Sequence, residues 1–148
     1  MKAVVQRVSR SKVVVDNEEV ARTGKGLLVL LGVGADDTRE DADFLAEKII
    51  NLRIFEDRDG KMNISLKEIN GQLMVVSQFT LMGDCRKGRR PSFIKAARPE
   101  KAVPLYEYFV RRTTDLGIET RTGVFQAMMD VSLTNSGPVT LVLDTREK

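Results

Sequence analysis

Apolar and polar residues alternate in several short runs along the chain, and this period of two predicts β-strands. The first run covers residues 3–16 (AVVQRVSRSKVVVD), and its alternation slips near Ser9 to Ser11, where we expect a β-bulge. The other predicted strands are EEVARTG (18–24), KGLLVLLGVG (25–34), QLMVVSQFTL (72–81), IETRTGVF (118–125), MMDVSLTN (128–135) and PVTLVLDT (138–145). Between the last two predicted strands, residues 135–138, which include the Gly137-Pro138 pair, predict a turn.

Two segments repeat apolar residues at spacings of three and four, the period of an amphipathic helix. The apolar positions of the first are Ala42, Leu45, Ile49 and Leu52. Asp37, with Glu40 three residues later, fits a capping box, so we expect this helix to follow Asp37 and to end near Asn51.

The second helix is predicted over residues 99–117, with Pro99 or Pro104 in its first turn and Gly117 at its end. The predicted strands mostly follow one another through short turns and do not alternate with helices. We therefore expect an α+β fold in which an antiparallel or mixed, barrel-like sheet is covered by two helices. The length of 148 residues suits a single domain, residues 1–148.

The sequence contains no histidine and one cysteine. It therefore excludes Ser-His-Asp and Cys-His catalysis and zinc sites that need imidazole or several thiolates. We predict no metal and no cofactor, because the Gly-x-Gly at Gly32 and Gly34 lacks the third glycine of a dinucleotide site. A single cysteine suits the cytoplasm, and no run approaches the ~18 apolar residues of a membrane span, so we expect a cytoplasmic protein without membrane contact.

Positive charge is concentrated in a long loop after the fourth predicted strand. The formal net charge is only +3, but residues 86–101 carry seven cations and one acid, Glu100. The cations are Arg86, Lys87, Arg89, Arg90, Lys95, Arg98 and Lys101, and Phe93 lies among them. Such a segment is either a solvated surface loop or a surface that contacts nucleic-acid phosphates.

Three short segments carry candidate chemistry. In SQFTL at residues 77–81, Ser77 and Thr80 are weak nucleophiles because no base is available to activate them. The segment either caps the following loop with its hydroxyl groups or places backbone N–H groups and hydroxyl groups at a cleft. Cys85 is either incidental or a nucleophile activated by the neighbouring cations. NSGPVT at residues 135–140 is either an ordinary turn or a place where a ligand approaches the backbone, because glycine has no Cβ.

SQFTL and NSGPVT together resemble the paired signatures of the D-aminoacyl-tRNA deacylases. The segments GKGLLVLLGV, KIINLRIFED, GKMNISL and RRPSF are similar to that family in order and spacing, so the resemblance covers the whole chain. It implies a homodimer with an antiparallel, barrel-like fold that hydrolyses the ester between a D-amino acid and the 3′-terminal adenosine of tRNA, and that also hydrolyses mischarged glycyl-tRNA. The substrate's ribose 2′-hydroxyl would assist. The resemblance further implies a cis Gly137–Pro138 bond, inserted into the partner's active site, where its carbonyls exclude L-amino acids.

The resemblance assigns roles to several groups of residues. Catalysis falls to Ser77, Gln78, Phe79 and Thr80. Chiral selection falls to Asn135, Gly137, Pro138, Val139 and Thr140. Since the implied substrate is tRNA, the charge of the basic loop further predicts contacts with tRNA, and none with DNA, from Arg86, Lys87, Arg89, Arg90, Phe93 and Lys95. The pocket would be lined by Phe125, Met128 and Met129, for which core packing is the alternative.

Two other functions stay open at this point. One is an RNA-binding module without catalysis, which would use the basic loop alone. The other is a small-molecule amidase or esterase with Thr80 or Cys85 as its nucleophile.

Overall fold

The structure is a computed structural model that describes residues 1–147. Its strands are β1 Lys2–Val15, β2 Glu18–Thr23, β3 Gly26–Gly32, β4 Phe55–Glu56, β5 Met62–Ile64, β6 Gln72–Ser77, β7 Glu119–Thr122 and β8 Asp130–Asp144. Its α-helices are α1 Arg39–Asn51 and α2 Pro99–Asp115, and a 3₁₀ helix spans Phe79–Met82. None of these helices is long and apolar enough to cross a membrane.

Six strands form one mixed sheet in the order β2-β1-β3-β6-β7, with β8 paired to the other edge of β1. β1 is antiparallel to β2, β3 and β8, whereas β3, β6 and β7 run parallel to one another. The first half of β1 pairs with β3 and its second half with β2. β2 also contacts β6 and β7 at the far side of the sheet, so the sheet is nearly closed and barrel-like. The predicted α+β fold, a barrel-like sheet with two helices, is confirmed.

The main core lies between the sheet and the two helices. It is formed by alternate residues of β1 and β3, such as Val5 and Val29, and by the apolar face of α1, including Leu45 and Ile49. Phe109 of α2 is also fully buried there. The period-two and period-3.6 patterns of the sequence thus converge on one core, which fixes the edges of the sheet where the candidate sites lie.

The pairing of β1 with β8 confirms one prediction and corrects another. The partners are Gln6 with Thr140, Val8 with Asn135, and Arg10 with Thr134. Ser9 is skipped, so the predicted β-bulge is present. The predicted turn between two strands is wrong: β8 is one strand of 15 residues, and the Gly-Pro pair sits in an excursion of it. Because β1 runs beside both halves, the chain bulges outward and then rejoins the same partner.

SQFTL does not continue as a strand. The last pair between β3 and β6 joins Leu31 to Ser77, one residue before β3 ends at Gly32. The chain instead turns into the 3₁₀ helix, in which the N–H of Leu81 donates to the carbonyl of Gln78 at 3.2 Å. The strand predicted to reach Leu81 is therefore four residues too long, and Ser77, Phe79 and Leu81 do not share a strand face. Two other strands are shorter than predicted, since β7 ends at residue 122 and β8 begins at residue 130.

The start of α1 also differs from the prediction. Thr38 is the N-cap, and the carboxylate of Asp41 accepts a hydrogen bond from the Thr38 N–H at 2.9 Å. Asp37 is buried instead, where its carboxylate accepts from the Met1 ammonium group at 2.6 Å. This ion pair draws Asp37 away from the helix, so the capping box begins one residue later than predicted. α2 begins at Pro99, as one of the two predicted alternatives requires.

Candidate functional site

A cavity of about 660 Å³ opens at the carboxyl ends of the parallel strands β3 and β6. Its walls come from these strand ends, from the segment before β8 and from the start of α2. The lining residues are Leu31, Val33, Val76, Ser77, Gln78, Phe79, Ala97, Pro99, Ala102, Phe125, Gln126, Ala127, Met128, Met129 and Val131. None of these side chains is acidic, basic or a thiol, so the cavity wall is uncharged and mostly apolar, and its polar side chains are Ser77, Gln78 and Gln126.

The end of β6 presents backbone and side-chain donors at the rim of this cavity. The Gln78 N–H is used by the Leu31 carbonyl at 2.8 Å, and the Gln78 side-chain amide donates to the Thr80 hydroxyl at 2.5 Å. The N–H groups of Phe79 and Thr80 are the first two of the 3₁₀ helix, and the first N–H groups of a helix have no acceptor within the helix. Ser77, Gln78 and Phe79 line the cavity, whereas Thr80 does not line it and is hydrogen-bonded to the Gln78 side chain.

Two aromatic pairs hold the cavity walls. Phe79, which is 57% exposed, meets Phe93 edge-on with ring centroids 5.2 Å apart. Phe125 meets Tyr106 in the same manner at 5.6 Å. The Tyr106 hydroxyl donates to the Val75 carbonyl at 2.9 Å, and burial raises the pKa of Tyr106, so that it remains a donor. Phe93 thus joins the basic loop to SQFTL, and Tyr106 fixes both β6 and Phe125.

The three residues predicted to line a pocket all lie in the cavity wall. Phe125 also packs against the main core, Met129 packs against a smaller cluster of buried residues, and Met128 is 90% exposed. Pocket lining and core packing, which the sequence left as alternatives, therefore apply together to Phe125 and Met129. Sequence reasoning missed Tyr106, because a tyrosine at helical spacing reads as core.

The NSGPVT excursion of β8 is anchored by Arg7 of β1. The Arg7 Nε donates to the Ser136 carbonyl at 2.9 Å, and its Nη1 donates to the Ile54 carbonyl at 2.8 Å. Only 11% of the Arg7 side chain is exposed, whereas Gly137 and Pro138 are exposed and joined by a cis peptide bond. Sequence reasoning did not find Arg7, because 129 residues separate it from Ser136.

The geometry of the excursion requires glycine at position 137. Its φ is +130°, and an added Cβ would lie 2.8 Å from the Arg7 Nη2 and 3.0 Å from a methyl carbon of Val139. Asn135 braces the same segment: its side-chain oxygen accepts from the Val139 N–H at 3.1 Å, and its amide donates to the Thr140 hydroxyl at 2.8 Å. The excursion is therefore a fixed piece of main chain facing outward.

SQFTL and NSGPVT are not brought together within one chain. Gly137 and Pro138 are absent from the residues that line the 660 Å³ cavity. In the order β6-β3-β1-β8, the two motifs lie on strands three positions apart, which is about 14 Å along the sheet.

The basic loop runs beside the cavity through Phe93 and Ala97. Arg86 is held by Asp84, with Nη2 2.5 Å from the carboxylate, and this guanidinium keeps the pKa of Asp84 well below its usual range. Lys87, Arg89, Arg90 and Lys95 are exposed. Cys85 is also exposed and does not line the cavity. Within residues 1–147, no three acidic, histidine or cysteine side chains are placed to hold a metal ion.

Comparison with known proteins identifies close relatives. Residues 4–144 match the family model described as D-Tyr-tRNA(Tyr) deacylase. The chain is 61% identical over 145 residues to a D-aminoacyl-tRNA deacylase of Geotalea uraniireducens (strain Rf4), covering 98% of this chain and 94% of that protein. It is 57% identical over 148 residues to a D-aminoacyl-tRNA deacylase of Thermus aquaticus, covering 100% and 97%.

Solved structures agree with this picture of the fold. A structure titled c-Myc DNA Unwinding Element Binding Protein is 38% identical, with a TM-score of 0.94 over 98% of this chain and 99% of that one. A structure described as a probable eukaryotic D-amino acid tRNA deacylase is 18% identical, with a TM-score of 0.82 over 96% and 97%, and shares the fold.

Proposed function

The chain belongs to the D-Tyr-tRNA(Tyr) deacylase family, and we propose that it clears D-aminoacyl-tRNA by combining a base-free cavity with a main-chain filter at Gly137 and Pro138. The reaction class follows from the family: a hydrolase that acts on D-aminoacyl-tRNA. The observation that carries the proposed mechanism is the neutral wall of the 660 Å³ cavity.

A hydrolase needs a group that activates water or another nucleophile. The cavity wall offers no carboxylate, amine or thiol, and the sequence has no histidine. The substrate itself carries a hydroxyl, the ribose 2′-OH, next to the ester at the 3′ position. We assign the activating role to this hydroxyl, while the protein contributes position and electrostatic stabilisation.

The proposed electrostatic contribution comes from Ser77, Gln78, Phe79 and Thr80. The N–H groups of Phe79 and Thr80 sit at the start of the 3₁₀ helix and would donate to the ester oxygen as negative charge develops on it. The hydrogen bond between the Gln78 amide and the Thr80 hydroxyl fixes this turn. Thr80 is therefore a hydrogen-bonding and positioning residue in this mechanism, and not a nucleophile.

The proposed filter works by exclusion. An L-amino acid places its Cβ where a D-amino acid places its Cα hydrogen, so carbonyl oxygens fixed close to that point leave no room for an L side chain. Arg7 and Asn135 hold the excursion in place, as a filter of this kind requires. Glycine has no side chain to exclude, so glycyl-tRNA would also be hydrolysed.

The separation of the two motifs supports a homodimer. About 14 Å of sheet lies between SQFTL and NSGPVT in one chain, and Gly137 points outward. A second copy could place its own Gly137 and Pro138 at the mouth of the first copy's cavity. The exposed apolar side chains of Phe79, Met128 and Val142 suit such a contact. We therefore propose an active site completed by the partner subunit.

The basic loop is the proposed contact for tRNA. Lys87, Arg89, Arg90 and Lys95 are exposed in this loop, which also carries Arg86 and reaches the cavity rim through the contact of Phe93 with Phe79. Cations of this density position a nucleic acid through its phosphates. Because the substrate is charged tRNA, we propose that the protein acts in the cytoplasm and uses no cofactor.

The test of this mechanism is the hydrolysis of matched D- and L-tyrosyl-tRNA that end in either adenosine or 2′-deoxyadenosine. We expect rapid release of tyrosine only from the D substrate with a 2′-hydroxyl. Equal hydrolysis of the two enantiomers would contradict the filter, and undiminished hydrolysis of the 2′-deoxy substrate would contradict assistance by the ribose.

A nucleic-acid-binding module without catalysis is the second candidate. The basic loop supports it, and a solved relative is titled as a DNA unwinding element binding protein. This candidate predicts salt-sensitive binding without ester cleavage. Competition between unlabelled duplex DNA and labelled tRNA for the protein separates the deacylase from the nucleic-acid-binding module. We expect the protein to retain tRNA, and efficient displacement of tRNA by DNA would favour the nucleic-acid-binding module.

A further inference from the structure

A second cleft, of about 420 Å³, lies between the second half of β1, β2 and the first half of β8. It shares no lining residue with the 660 Å³ cavity. Its lining residues are Arg10, Ser11, Lys12, Arg22, Ser132, Leu133 and Thr134. Three of the seven are cations and three carry hydroxyl groups. The Ser11 hydroxyl is buried and bonded to that of Thr23, which leaves Ser132 and Thr134 as hydroxyl groups suited to the oxygens of an anion.

The cations of this cleft converge on one face of the sheet. Lys12 pairs directly with Arg22 on β2 and with Ser132 on β8. Arg10, two residues from Lys12 and therefore on the same face, pairs with Thr134, whose hydroxyl accepts from the Arg10 Nε at 3.3 Å. Two like charges placed directly opposite each other on neighbouring strands repel, and an anion between them removes the repulsion.

The acids on this face offset only part of the charge. Glu19 accepts two hydrogen bonds from Arg22, at 2.6 Å and 3.0 Å, and it lies two pairs further along β2, opposite Val14. Asp130 is paired with the same Val14 on the other side. Both acids thus stand at one end of the face, while Arg10 and Lys12 stand at the other and make no ion pair among the residues that the structure describes.

We propose that this cleft, here called the Arg10–Lys12 cleft, binds a backbone phosphate of RNA. Three cationic side chains around a cleft with hydroxyl donors match a phosphodiester, and the volume accommodates a nucleotide unit. The inference rests on the proposed function for the identity of the RNA, which is the substrate tRNA.

The position of the cleft suits this ligand. Thr134 lies three residues before Gly137 on β8, so the cleft adjoins the proposed chiral filter. A tRNA whose aminoacyl end meets Gly137 and Pro138 has its next phosphates within reach of this face. The Arg10–Lys12 cleft would then position the tRNA from the filter side, while the basic loop positions it from the cavity side.

The experiment measures binding of uncharged, fluorescently labelled tRNA by anisotropy between about 50 and about 300 mM NaCl. Wild-type protein is compared with R10Q/K12Q and with the control K48Q/R58Q, which removes the same charge from exposed positions on α1 and in the turn between β4 and β5. We expect R10Q/K12Q to bind tRNA about tenfold more weakly. We also expect the negative slope of log K against log salt concentration to become less steep by about 1 to 2. The control should retain the wild-type slope.

A second variant tests the cleft independently, in case R10Q/K12Q does not fold. Ser132→Asp retains every cation and adds a carboxylate to an exposed position of the cleft, so it should also weaken binding. Both variants should keep the wild-type kcat for D-tyrosyl-tRNA while KM rises, because the cleft touches no reacting atom.

The proposal is overturned if R10Q/K12Q and K48Q/R58Q have the same slope. It is also overturned if R10Q/K12Q changes the mass in sedimentation but leaves the slope unchanged, since the cleft would then be a contact between subunits. The salt slope decides this point even if the wild-type protein deacylates no tRNA, so failure of the proposed function is recognised separately.

Discussion

Arg7 is the residue on which the proposed filter depends most, although it lies outside both sequence motifs. Its guanidinium donates to the Ser136 carbonyl at 2.9 Å and to the Ile54 carbonyl at 2.8 Å, and so ties the excursion of β8 to the chain after α1. Arg7→Lys keeps the positive charge, but an ammonium group cannot reproduce the planar fork that serves two separate carbonyls. We expect the lysine to satisfy one carbonyl and to release the other.

The expected cost can be worked from these contacts. Losing one hydrogen bond from a charged donor costs about 1.5 to 3 kcal/mol, and the Arg7 side chain is buried enough for most of that cost to apply. For a domain of this size, such a loss lowers Tm by roughly 3 to 12 °C. If the lost contact is the one to Ser136, the filter moves, and hydrolysis of L-tyrosyl-tRNA rises by about tenfold or more relative to the D substrate.

The assay pairs a thermal melt with rates of D- and L-tyrosyl-tRNA hydrolysis. Arg53→Lys is the matched control, because Arg53 also makes two hydrogen bonds, but it is exposed and donates to Asn63 of β5, not to the excursion of β8. It should leave the D/L ratio unchanged. A large fall in Tm for Arg7→Lys with an unchanged D/L ratio would show that Arg7 stabilises the fold without setting selectivity, and would refute this reasoning.

Three further predictions follow from the geometry. Gly137→Ala places a Cβ 2.8 Å from the Arg7 Nη2 at a φ of +130°, so it should displace the excursion and raise the hydrolysis of L-tyrosyl-tRNA. The ratio of D- to L-tyrosyl-tRNA hydrolysis measures this effect, and an unaltered ratio would count against the filter. Tyr106→Phe removes the hydrogen bond to Val75 and should destabilise the protein by about 1 to 3 kcal/mol in urea unfolding, and an unchanged midpoint would contradict this. Arg86 depresses the pKa of Asp84, so the stability that Asp84 contributes is present above its unfolded pKa of about 4 and is lost as the pH falls through the lower folded pKa. The difference in Tm between wild-type protein and Asp84→Asn should therefore be constant from pH 8 to pH 5 and narrow only in stronger acid; narrowing near neutrality would contradict the assignment.

Local pattern was enough to predict much of the fold. The alternation of β1, its slip at Ser9 and the apolar face of α1 each depend on residues close in sequence, and each is present in the structure. SQFTL and NSGPVT also pointed to the correct family, because two specific short motifs occur in order within one chain of suitable length.

Features that depend on distant pairing could not be predicted. β8 is continuous because β1 pairs with it on both sides of Gly137, and β6 ends at Ser77 because its partner β3 ends one residue beyond their last pair. Asp37 does not cap the helix, because it forms an ion pair with Met1, which is 36 residues away in the sequence. Arg7 belongs to the same class, since only the sheet brings it to Ser136.

The most direct test of selection by exclusion compares three substrates that differ at a single position: D-alanyl-, glycyl- and L-alanyl-tRNA, each on the same tRNA. A filter that only refuses an L side chain predicts that D-alanine and glycine are both released, and that the single methyl group of L-alanine prevents release. If glycyl-tRNA is spared together with L-alanyl-tRNA, the protein recognises the D side chain itself, and the account of Gly137 and Pro138 as an excluding main chain is wrong.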